Sequence, residues 1–364
     1  MADPMNLSPS NVGLTPQIWD DRFFAEYIRK NQFAKLMGSN EEAVIQLKDD
    51  LERRPGDRVT FAFVGRLTGA GVRGHQVLRG NEEILNDRSM GVIINPIRHA
   101  VAIDKWTAQQ SAINKRNAAK VALKNWSIEL MRADTITSLL AIAPQITYGA
   151  GTATQQNAWV SNNADRVMFG NTLSNTTGVG STSLLNVSAA VGRMSKSVLE
   201  TAKRQARMAH PRIRPYMDKD GTEWFVAFLH PYAFRDLRND PSYRTDMQFA
   251  LERGKGNPLF SGGDLITDGI IVKEEPDMPL LTGVGTGGVN VAQCVMLGAQ
   301  AIGMAWAQRT QTTEDSYDYK WENGVGIEEI RGIDKLRFGT GPNDQDNLKD
   351  HGVYTMFVAA PPDA

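Results

Sequence analysis

The sequence has very little cysteine: among its 364 residues there is one, Cys294. A single cysteine excludes a disulfide within the chain, which is typical of a protein made in a reducing compartment. Cys294 lies in the apolar run Val291–Leu297. A lone cysteine in such a run is usually a small buried hydrophobic residue, and we expect the same here.

Long hydrophobic runs and an excess of charge of either sign are also missing. No apolar stretch approaches the roughly 18 residues that a membrane-spanning helix needs. The first ten residues lack the basic and apolar pattern of a secretory signal. The formal net charge is −1, whereas dedicated nucleic-acid-binding domains usually carry a basic excess. We therefore expect no membrane partner and no sequence-specific contact with nucleic acid.

Catalytic and cofactor motifs are absent as well. The string Gly283–Gly288 satisfies G-x-G-x-x-G, but Pro276 and Pro279 precede it and strand-like residues follow it. A dinucleotide site needs a strand before the glycines and a helix after them, so we interpret this string as a loop. The five histidines do not occur at the spacing of metal ligands. The sequence predicts no catalytic residue, no metal site and no cofactor.

Charge is nevertheless uneven in one stretch. Residues 187–215 contain one acid, Glu200, and seven basic residues: Arg193, Lys196, Lys203, Arg204, Arg207, Arg212 and Arg214. Two interpretations stay open. The stretch is either a solvated helix face or a surface that contacts phosphates or an acidic neighbour, and phosphate contacts of that kind are non-specific and sensitive to salt.

What the chain does contain is a long glycine-rich segment between two predicted strands. Arg58–Val64 and Gly91–Ile103 are rich in β-branched and aromatic residues. The 26 residues from Gly65 to Met90 include five glycines and show no helical or strand period. Loops of this length are uncommon in compact domains unless they bind something. We predict an extended arm that lies on a partner, and we call residues 66–85 the arm loop.

An aromatic stripe marks the predicted first helix. Thr15-Pro16 is a good helix start, and the helix is predicted to run to Met37 before Gly38. Trp19, Phe23 and Tyr27 follow each other at i, i+4 and i+8 and therefore lie on one face. This face packs either on its own domain or on a neighbouring molecule.

Helical and strand patterns intermix along the rest of the chain without a regular βαβ order, which favours the α+β class. Helices are predicted at Glu41–Arg53, at Thr107–Ala143, which is unusually long, and at Val187–Met208; Tyr317–Trp321 is predicted as a strand. Residues 147–186 are rich in Gly, Thr, Asn and Ser and are interpreted as an irregular insertion. This insertion is either a flexible connector or a contact patch.

The arm loop also carries a resemblance to a known family. Its pattern L-x-G-x-G-V-x-G…L-x-G-N-E-E-x-L, followed by Arg98-His-Ala-Val-Ala-Ile103, resembles the major capsid proteins of tailed bacteriophages of the N-four (Enquatrovirus-like) type. Those proteins are similar to the HK97 capsid fold. Weaker matches follow in the same order and extend the resemblance over most of residues 16–360: Leu229–Leu237, Asn257–Gly262, Leu297–Ala301 and Gly352–Val358.

The resemblance implies an HK97-type α+β fold with an N-terminal arm, an extended β-hairpin arm (E-loop), a long spine helix, and P and A subdomains. On this chain the implied segments are an N-terminal arm at 1–55, a hairpin arm at 56–104, a spine helix at 105–143, the polar insertion at 144–186, and a P and A body at 187–364.

The resemblance also implies a structural virion protein rather than an enzyme, which assembles with itself into an icosahedral head around double-stranded DNA. Its implied partners are further copies in hexamers and pentamers, scaffold and portal proteins, and non-specifically the packaged DNA; decoration proteins stay an open alternative. The implied location is the virion capsid, assembled in the cytoplasm of a bacterial host. Two alternatives remain: a soluble enzyme or ligand-binding protein of unassigned chemistry, and a non-viral encapsulating shell protein of the same fold.

Contacts between subunits are expected from the aromatic stripe and from the charged residues in and beside the arm loop: Trp19, Phe23, Tyr27, Arg66, Arg73, Arg79, Glu82, Glu83 and Asp87. Some HK97-type shells cross-link covalently through a lysine in the hairpin arm. Residues 56–104 contain six arginines and no lysine, so we expect a shell held together by non-covalent, charge-assisted contacts.

Overall fold

The computed structural model describes residues 32–49, 56–67, 69–85, 87–111, 114–217, 221–250 and 265–363. The predicted stripe of Trp19, Phe23 and Tyr27 lies outside these residues. At the end of that predicted helix, Gln32–Leu36 forms a short 3₁₀ helix.

Strands and helices are mixed along the chain, which confirms the α+β class. The strands are β1 Met37–Gly38, β2 Ile45–Lys48, β3 Arg58–Val64, β4 Asp87–Ile93, β5 Asn95–Asp104, β6 Ala141–Ala143, β7 Ile146–Thr147, β8 Val167–Phe169, β9 Tyr216–Met217, β10 Glu223–Leu229, β11 Leu265–Thr267, β12 Ile270–Glu274, β13 Leu280–Leu281, β14 Val291–Leu297, β15 Ile302–Tyr317, β16 Glu322–Lys335, β17 Arg337–Gly339, β18 Leu348–Asp350 and β19 Val353–Ala359. The α-helices are α1 Lys105–Gln110, α2 Lys115–Leu140, α3 Ala153–Asn162, α4 Gly180–Leu185, α5 Lys196–Met208, α6 Pro231–Asn239 and α7 Pro241–Ala250.

The described residues divide into two compact units. The smaller one comprises residues 96–111, 114–130 and 309–329, and the larger one comprises the rest. Helix α2 and strands β15 and β16 contribute residues to both units.

The larger unit contains the main sheet, with strand order β11-β12-β10-β14-β19-β8. Its central strands β14 and β19 pair antiparallel from Val291↔Ala359 to Leu297↔Val353. Every residue of both strands is buried. A strand that is apolar on both faces belongs inside a sheet whose two faces are both covered.

The two-residue period of the strands sends alternate side chains to opposite faces. On one face Cys294, Met296 and Met356 pack with α5 and α6 in one core cluster, and burial raises the pKa of the Cys294 thiol to about 12. This confirms Cys294 as a buried residue. On the other face Val295 and Leu297 pack with the C-terminal end of α2, in the cluster that holds Leu139 and Leu140.

The smaller unit has its own apolar centre. Within it, the C-terminal part of β15, the N-terminal part of β16 and strand β5 lie side by side, with β16 in the middle. Leu123 of α2 packs with Val325 and Ile327 of β16, with Val101 and Trp126 at the edge.

The predicted helix Thr107–Ala143 is interrupted. Helix α1 ends at Gln110, where Ser111 has extended backbone angles, and α2 begins again at Lys115 after Asn114, whose Oδ1 accepts the N–H of Asn117 at 3.1 Å. A side-chain acceptor at this position starts a new helix. None of the described helices is long and apolar enough to span a membrane.

Two further helix predictions were wrong in place or extent. Within Glu41–Arg53, the described part contains strand β2, because Ile45–Lys48 pairs parallel with the start of β15 from Ile302 to Ala305. Tertiary pairing there overrides the local helical pattern. The predicted helix Val187–Met208 begins only at Lys196.

The interpretation of residues 147–186 as irregular was also wrong. This segment contains α3, with a capping box in which Thr152 and Gln155 satisfy each other's backbone N–H groups, and β8, which pairs parallel with β19. Trp159, Val160 and Phe169 are buried in a core cluster with Phe357. The segment is polar in composition, but a few large apolar residues occupy its buried positions.

The predicted strand Tyr317–Trp321 is a turn. Strand β15 ends at Tyr317, and β16 begins at Glu322. Asp318, Tyr319 and Lys320 between them all have positive φ. Their sequence contains no glycine or asparagine that would indicate such a turn.

A buried ion pair lies where β18, β16 and α3 meet. Lys335 Nζ donates to Asp350 Oδ2 at 2.6 Å, and both side chains are 1 % exposed. Trp159 Nε1 donates to the same oxygen at 3.2 Å. Burial lowers the pKa of Lys335, and Asp350 opposes that shift.

Removing the carboxylate should leave a buried ammonium group without its partner. We expect Asp350→Asn to lower the free energy of unfolding by about 3–5 kcal/mol, measured on the free subunit by urea denaturation. The matched control is Asp246→Asn, which breaks the exposed pair with Lys196 and should cost at most about 1 kcal/mol. Equal losses of unfolding free energy in the two variants would contradict the expected difference between the buried pair and the exposed pair.

The burial of His351 predicts that the subunit loses stability in acid. Its ring packs 4.9 Å from that of Phe63 and 5.4 Å from that of Phe338. Burial, with repulsion from Arg214 and Arg166, lowers its pKa from 6.5 to about 4. Because the unfolded chain binds the proton more readily, stability is complete above pH 6.5 and is lost as the pH falls towards 4.

We expect His351→Gln, which cannot take up this proton, to lose about 3 kcal/mol less stability than the native subunit between pH 7 and pH 4. Urea denaturation at both pH values measures the difference. The exposed His75→Gln is the control and should behave as the native chain does. An unchanged pH dependence in His351→Gln would refute the prediction.

Candidate functional site: the hairpin arm

The predicted arm is a β-hairpin with a long loop. Strands β3 and β4 pair antiparallel from Arg58↔Ile93 to Val64↔Asp87. The second strand therefore begins at Asp87, four residues earlier than the sequence pattern indicated. The connection between the strands comprises residues 65–86 and contains the arm loop.

The base of the hairpin is part of the core of the larger unit. Val59, Phe61 and Val92 are buried in a cluster with Ala305, Leu336 and Phe338. Lys48 Nζ lies 4.6 Å from the centroid of the Phe61 ring and donates to the carbonyl oxygen of Thr60 at 2.8 Å. These contacts fix the position from which the arm loop extends.

Strand β4 has a second attachment, to the loop between β17 and β18. Ser89 Oγ donates to Asp344 Oδ2 at 2.7 Å, and Arg88 Nη2 donates to the carbonyl oxygen of Gly341 at 2.8 Å. The hydrogen bond from Ser89, with a further contribution from Arg88, lowers the pKa of Asp344. Sequence reasoning missed this attachment, because its partners are 255 residues apart.

The arm loop itself presents apolar side chains to solvent. Its large exposed apolar residues, with their exposed fractions, are Leu67 58 %, Val77 70 %, Leu78 63 %, Ile84 90 % and Leu85 54 %. Single exposed apolar residues are ordinary on a protein surface, but a concentration of them marks an interaction site.

Local hydrogen bonds order the arm loop. The N–H of Gly69 donates to Glu83 Oε2 at 2.6 Å and so joins the two limbs of the loop. The N–H of Gly80 donates to Glu82 Oε2 at 2.6 Å. Gly80 has a φ of 89°, a left-handed conformation that side chains rarely adopt.

The charged residues predicted to make contacts fall into two groups. Arg66, Arg73 and Arg79 are exposed, and in the part of the chain that the structure describes their guanidinium groups have no ion-pair partner. Glu82 and Glu83 instead accept backbone N–H groups within the loop. Asp87 is exposed at the start of β4. Their contacts with other subunits stay a prediction.

Three of the seven basic residues of the stretch 187–215 pair with acids of the same chain. Lys196 pairs with Glu200 at 3.4 Å, and Lys203 Nζ lies 3.0 Å from Asp268. Arg207 Nη2 likewise lies 3.0 Å from Glu223 Oε2. These pairs favour the interpretation as a solvated helix face.

A metal site and a phosphate site are the two other kinds of site that the sequence analysis considered. They contain no group of three His, Cys, Asp or Glu side chains that could hold a metal ion. The glycine string Gly283–Gly288 ends in a 3₁₀ turn at Thr286–Gly288, and strand β14 follows it. Because no helix N-terminus follows the string, it does not offer the phosphate site that G-x-G-x-x-G requires.

Comparisons with known proteins agree on one family. A family model described as phage capsid protein matches residues 8–361. The major capsid protein of Pseudomonas phage KPP25 is 26 % identical over 371 residues, which cover 94 % of each chain.

Solved structures of similar fold are also phage capsids. The cyanophage Pam1 capsid asymmetric unit is 30 % identical with a TM-score of 0.87, and 100 % of both chains is covered. The capsid of Ralstonia phage GP4 is 23 % identical with a TM-score of 0.76, again with 100 % of both chains covered, and at this identity it shows the fold alone.

These neighbours confirm the HK97-type capsid fold and the resemblance to major capsid proteins of tailed phages. The family match spans nearly the whole chain, from residue 8 to residue 361. The chain belongs to the phage capsid protein family, and it is a structural protein of the virion shell.

Proposed function

We propose that this chain is the repeating subunit of an icosahedral phage head that encloses double-stranded DNA, and that its arm loop binds a neighbouring copy. One observation carries the proposal. The base of the hairpin is held in the core by Val59, Phe61 and Val92, whereas the apolar side chains of the arm loop are exposed, Ile84 by 90 %.

The apolar residues supply the attraction. Full burial of one side chain of the size of leucine contributes about 1.5–3 kcal/mol, part of which offsets the loss of freedom on association. A single arm contact is therefore modest. A closed shell multiplies it, because every subunit engages several neighbours under the same symmetry.

The arginines fix the orientation of the proposed contact. Arg66, Arg73 and Arg79 present forked donors that match a carboxylate with two hydrogen bonds. Because their guanidinium groups lack an ion-pair partner among the described residues, they are available to carboxylates of a neighbouring copy. Glu82 and Glu83 hold the loop in shape through Gly80 and Gly69.

We also propose a division of the chain into five segments. They are an N-terminal arm at 1–55, a hairpin arm at 56–104, a spine helix at 105–143, an insertion at 144–186 and a P and A body at 187–364. The long helix α2 supports the spine assignment. We place the stripe of Trp19, Phe23 and Tyr27 on a neighbouring subunit as well. The charge pattern and the order of motifs in the sequence support this arrangement.

The proposed partners are further copies of this chain in hexamers and pentamers, with scaffold and portal proteins during assembly in the host cytoplasm, and decoration proteins as an open alternative. Contact with packaged DNA is non-specific, since the formal net charge of the chain is −1 and three of the four basic residues of α5 already pair with acids. We propose no enzymatic activity, because the family and the relatives that the chain resembles are capsid proteins.

Deletion of residues 67–85 tests the arm. It leaves a three-residue connection between β3 and β4, a length that hairpins accept, and it removes no residue of the core cluster. We expect a soluble subunit with an unchanged unfolding midpoint that does not form closed shells. A sucrose gradient followed by negative-stain electron microscopy measures the outcome.

The control separates the arm loop from exposed apolar surface in general. Leu78→Ser with Ile84→Ser should reduce shells as the deletion does. Met208→Ser with Ile266→Ser removes exposed side chains from the body of the larger unit and should leave shells intact. Normal shells from the deletion variant would rule out the proposed role of the arm.

The absence of lysine from residues 56–104 gives a second test. We expect mature particles to dissolve in denaturant into chains of monomer size, because no arm lysine is present to form an isopeptide bond. A denaturing gel of purified particles shows this directly. A ladder of covalent multimers would show that the shell is cross-linked through other residues.

A further inference from the structure

Lys335 and Asp350 meet inside the larger unit, where water does not reach them. Lys335 Nζ lies 2.6 Å from Asp350 Oδ2, and each side chain is 1 % exposed. Ion pairs in such a place gain little, because removing two charges from water costs about as much as their attraction returns. Hydrophobic residues of similar volume often serve stability at least as well. A buried lysine beside a carboxyl group is therefore weak evidence for a purely stabilising role.

Asp350 is bound through one of its two carboxylate oxygens. Oδ2 accepts from Lys335 Nζ and from Trp159 Nε1, the latter at 3.2 Å. Oδ1 is buried and has no hydrogen-bond partner among the described residues. A buried carboxylate oxygen without a partner is costly, and each such atom in a native protein needs an explanation. The site fits a carbonyl group, which has one oxygen, better than it fits a carboxylate, which has two.

The surroundings of Lys335 favour the neutral amine. Burial lowers the pKa of Lys335, Asp350 opposes that shift, and the positive charge of Arg337 adds to it. Arg337 is itself 2 % exposed, so little water screens its charge. A proton that passes from the ammonium group to the carboxylate leaves a neutral amine beside a carboxylic acid. The neutral amine is a nucleophile, and lysines that react as amines are typically buried in this way.

The fold also holds the two groups in contact and places a donor beside them. Well-oriented groups within one molecule react as if each were present at about 10⁵–10⁸ M. Lys335 lies on β16 and Asp350 on β18, and the Trp159 ring, 5.4 Å from Nζ, covers the lysine. Trp159 Nε1 donates to Oδ2, where negative charge collects when an amine adds to the carboxyl carbon. A donor fixed at that position stabilises the charge.

We propose that Lys335 and Asp350 of one chain condense into an amide bond, which makes this pair a site of self-modification. Nζ forms a bond to Cγ of Asp350, and the bond from Cγ to Oδ1 breaks. Oδ1 leaves as water with two of the three protons of the ammonium group, and the nitrogen keeps the third. Oδ2 remains as the carbonyl oxygen of the amide. Atoms and charge balance, and no oxidant or other reactant takes part.

The bond links β16 to β18 across β17 and the loop that follows it. That loop contains Asp344, which accepts a hydrogen bond from Ser89 of the hairpin arm. The covalent ring formed by residues 335–350 restricts the unfolded chain as a disulfide does, in a chain whose single cysteine excludes an internal disulfide. The inference goes beyond the proposed function, because it concerns one chain whether or not that chain is part of a shell.

Intact-mass spectrometry of the denatured full chain tests the bond. We expect a mass that is lower than the mass of the sequence by one water molecule. Trypsin should release residues 332–337 uncut after Lys335 and joined to residues 350–364. A chain at the full mass of its sequence, with residues 350–364 released as a separate peptide, would overturn the proposal.

Lys335→Arg separates the amide from the ion pair. Arginine keeps the positive charge, but its guanidinium group stays protonated, so this variant should have the full mass of its sequence. The control is Lys349→Arg, which replaces the lysine 2.8 Å from Asp165. Water reaches that pair, whose side chains are 17 % and 30 % exposed, so Lys349→Arg should keep the deficit of one water. If Lys335→Arg does not fold, the mass of the native chain alone decides.

Mild alkali distinguishes the amide from a succinimide. An aspartate followed by glycine, such as Asp268-Gly269, also loses one water when it cyclises, but the succinimide hydrolyses in alkali and the amide does not. A deficit that survives alkali supports the proposal, and a deficit that disappears overturns it. Neither measurement involves assembly, so a chain of full mass leaves the proposed function intact. Normal shells from the 67–85 deletion would likewise leave the water deficit unchanged.

Discussion

Pairing between β14 and β19 is the interaction on which the larger unit depends. Both strands are buried at every residue, so α5 and α6 must cover one face of the sheet and the end of α2 must cover the other. These two central strands therefore have no free face to offer another molecule. The proposed association uses a segment that leaves the sheet, the arm loop.

The hairpin arm divides its residues between two tasks. The side chains of Val59, Phe61 and Val92 contribute to the core, and Ser89 attaches β4 to Asp344, so the base is rigid. No described residue of the arm loop belongs to the core cluster at the base, and local hydrogen bonds such as that between Gly69 and Glu83 order the loop. A rigid base fixes the direction in which the loop is presented, and this lowers the entropic cost of binding. Moderate contacts also allow a misplaced subunit to leave before the shell closes.

Sequence reasoning succeeded where local composition decides the structure. It predicted the strand before the arm and the exposed glycine-rich loop that follows it. It failed where distant residues decide: β2 is a strand because it pairs with Ile302–Ala305. Within 147–186 the capping box at Thr152 and Gln155 was a readable signal of α3, whereas the parallel pairing of β8 with β19 had none. Composition was enough to single out the charges of the arm loop, whose contacts stay a prediction, but it could not indicate the attachment of Arg88 to Gly341.

The features proposed for association are all liabilities for an isolated subunit. Exposed Ile84 and Leu78 favour aggregation of the free subunit. A sequence selected only for the stability of one chain would replace such residues, since alternatives of lower cost exist at each position. Their presence is understandable when the state under selection is the assembled shell, in which we propose that the same side chains are buried. The free energy that they cost the subunit is then part of what makes the dissociated state less favourable than the closed one.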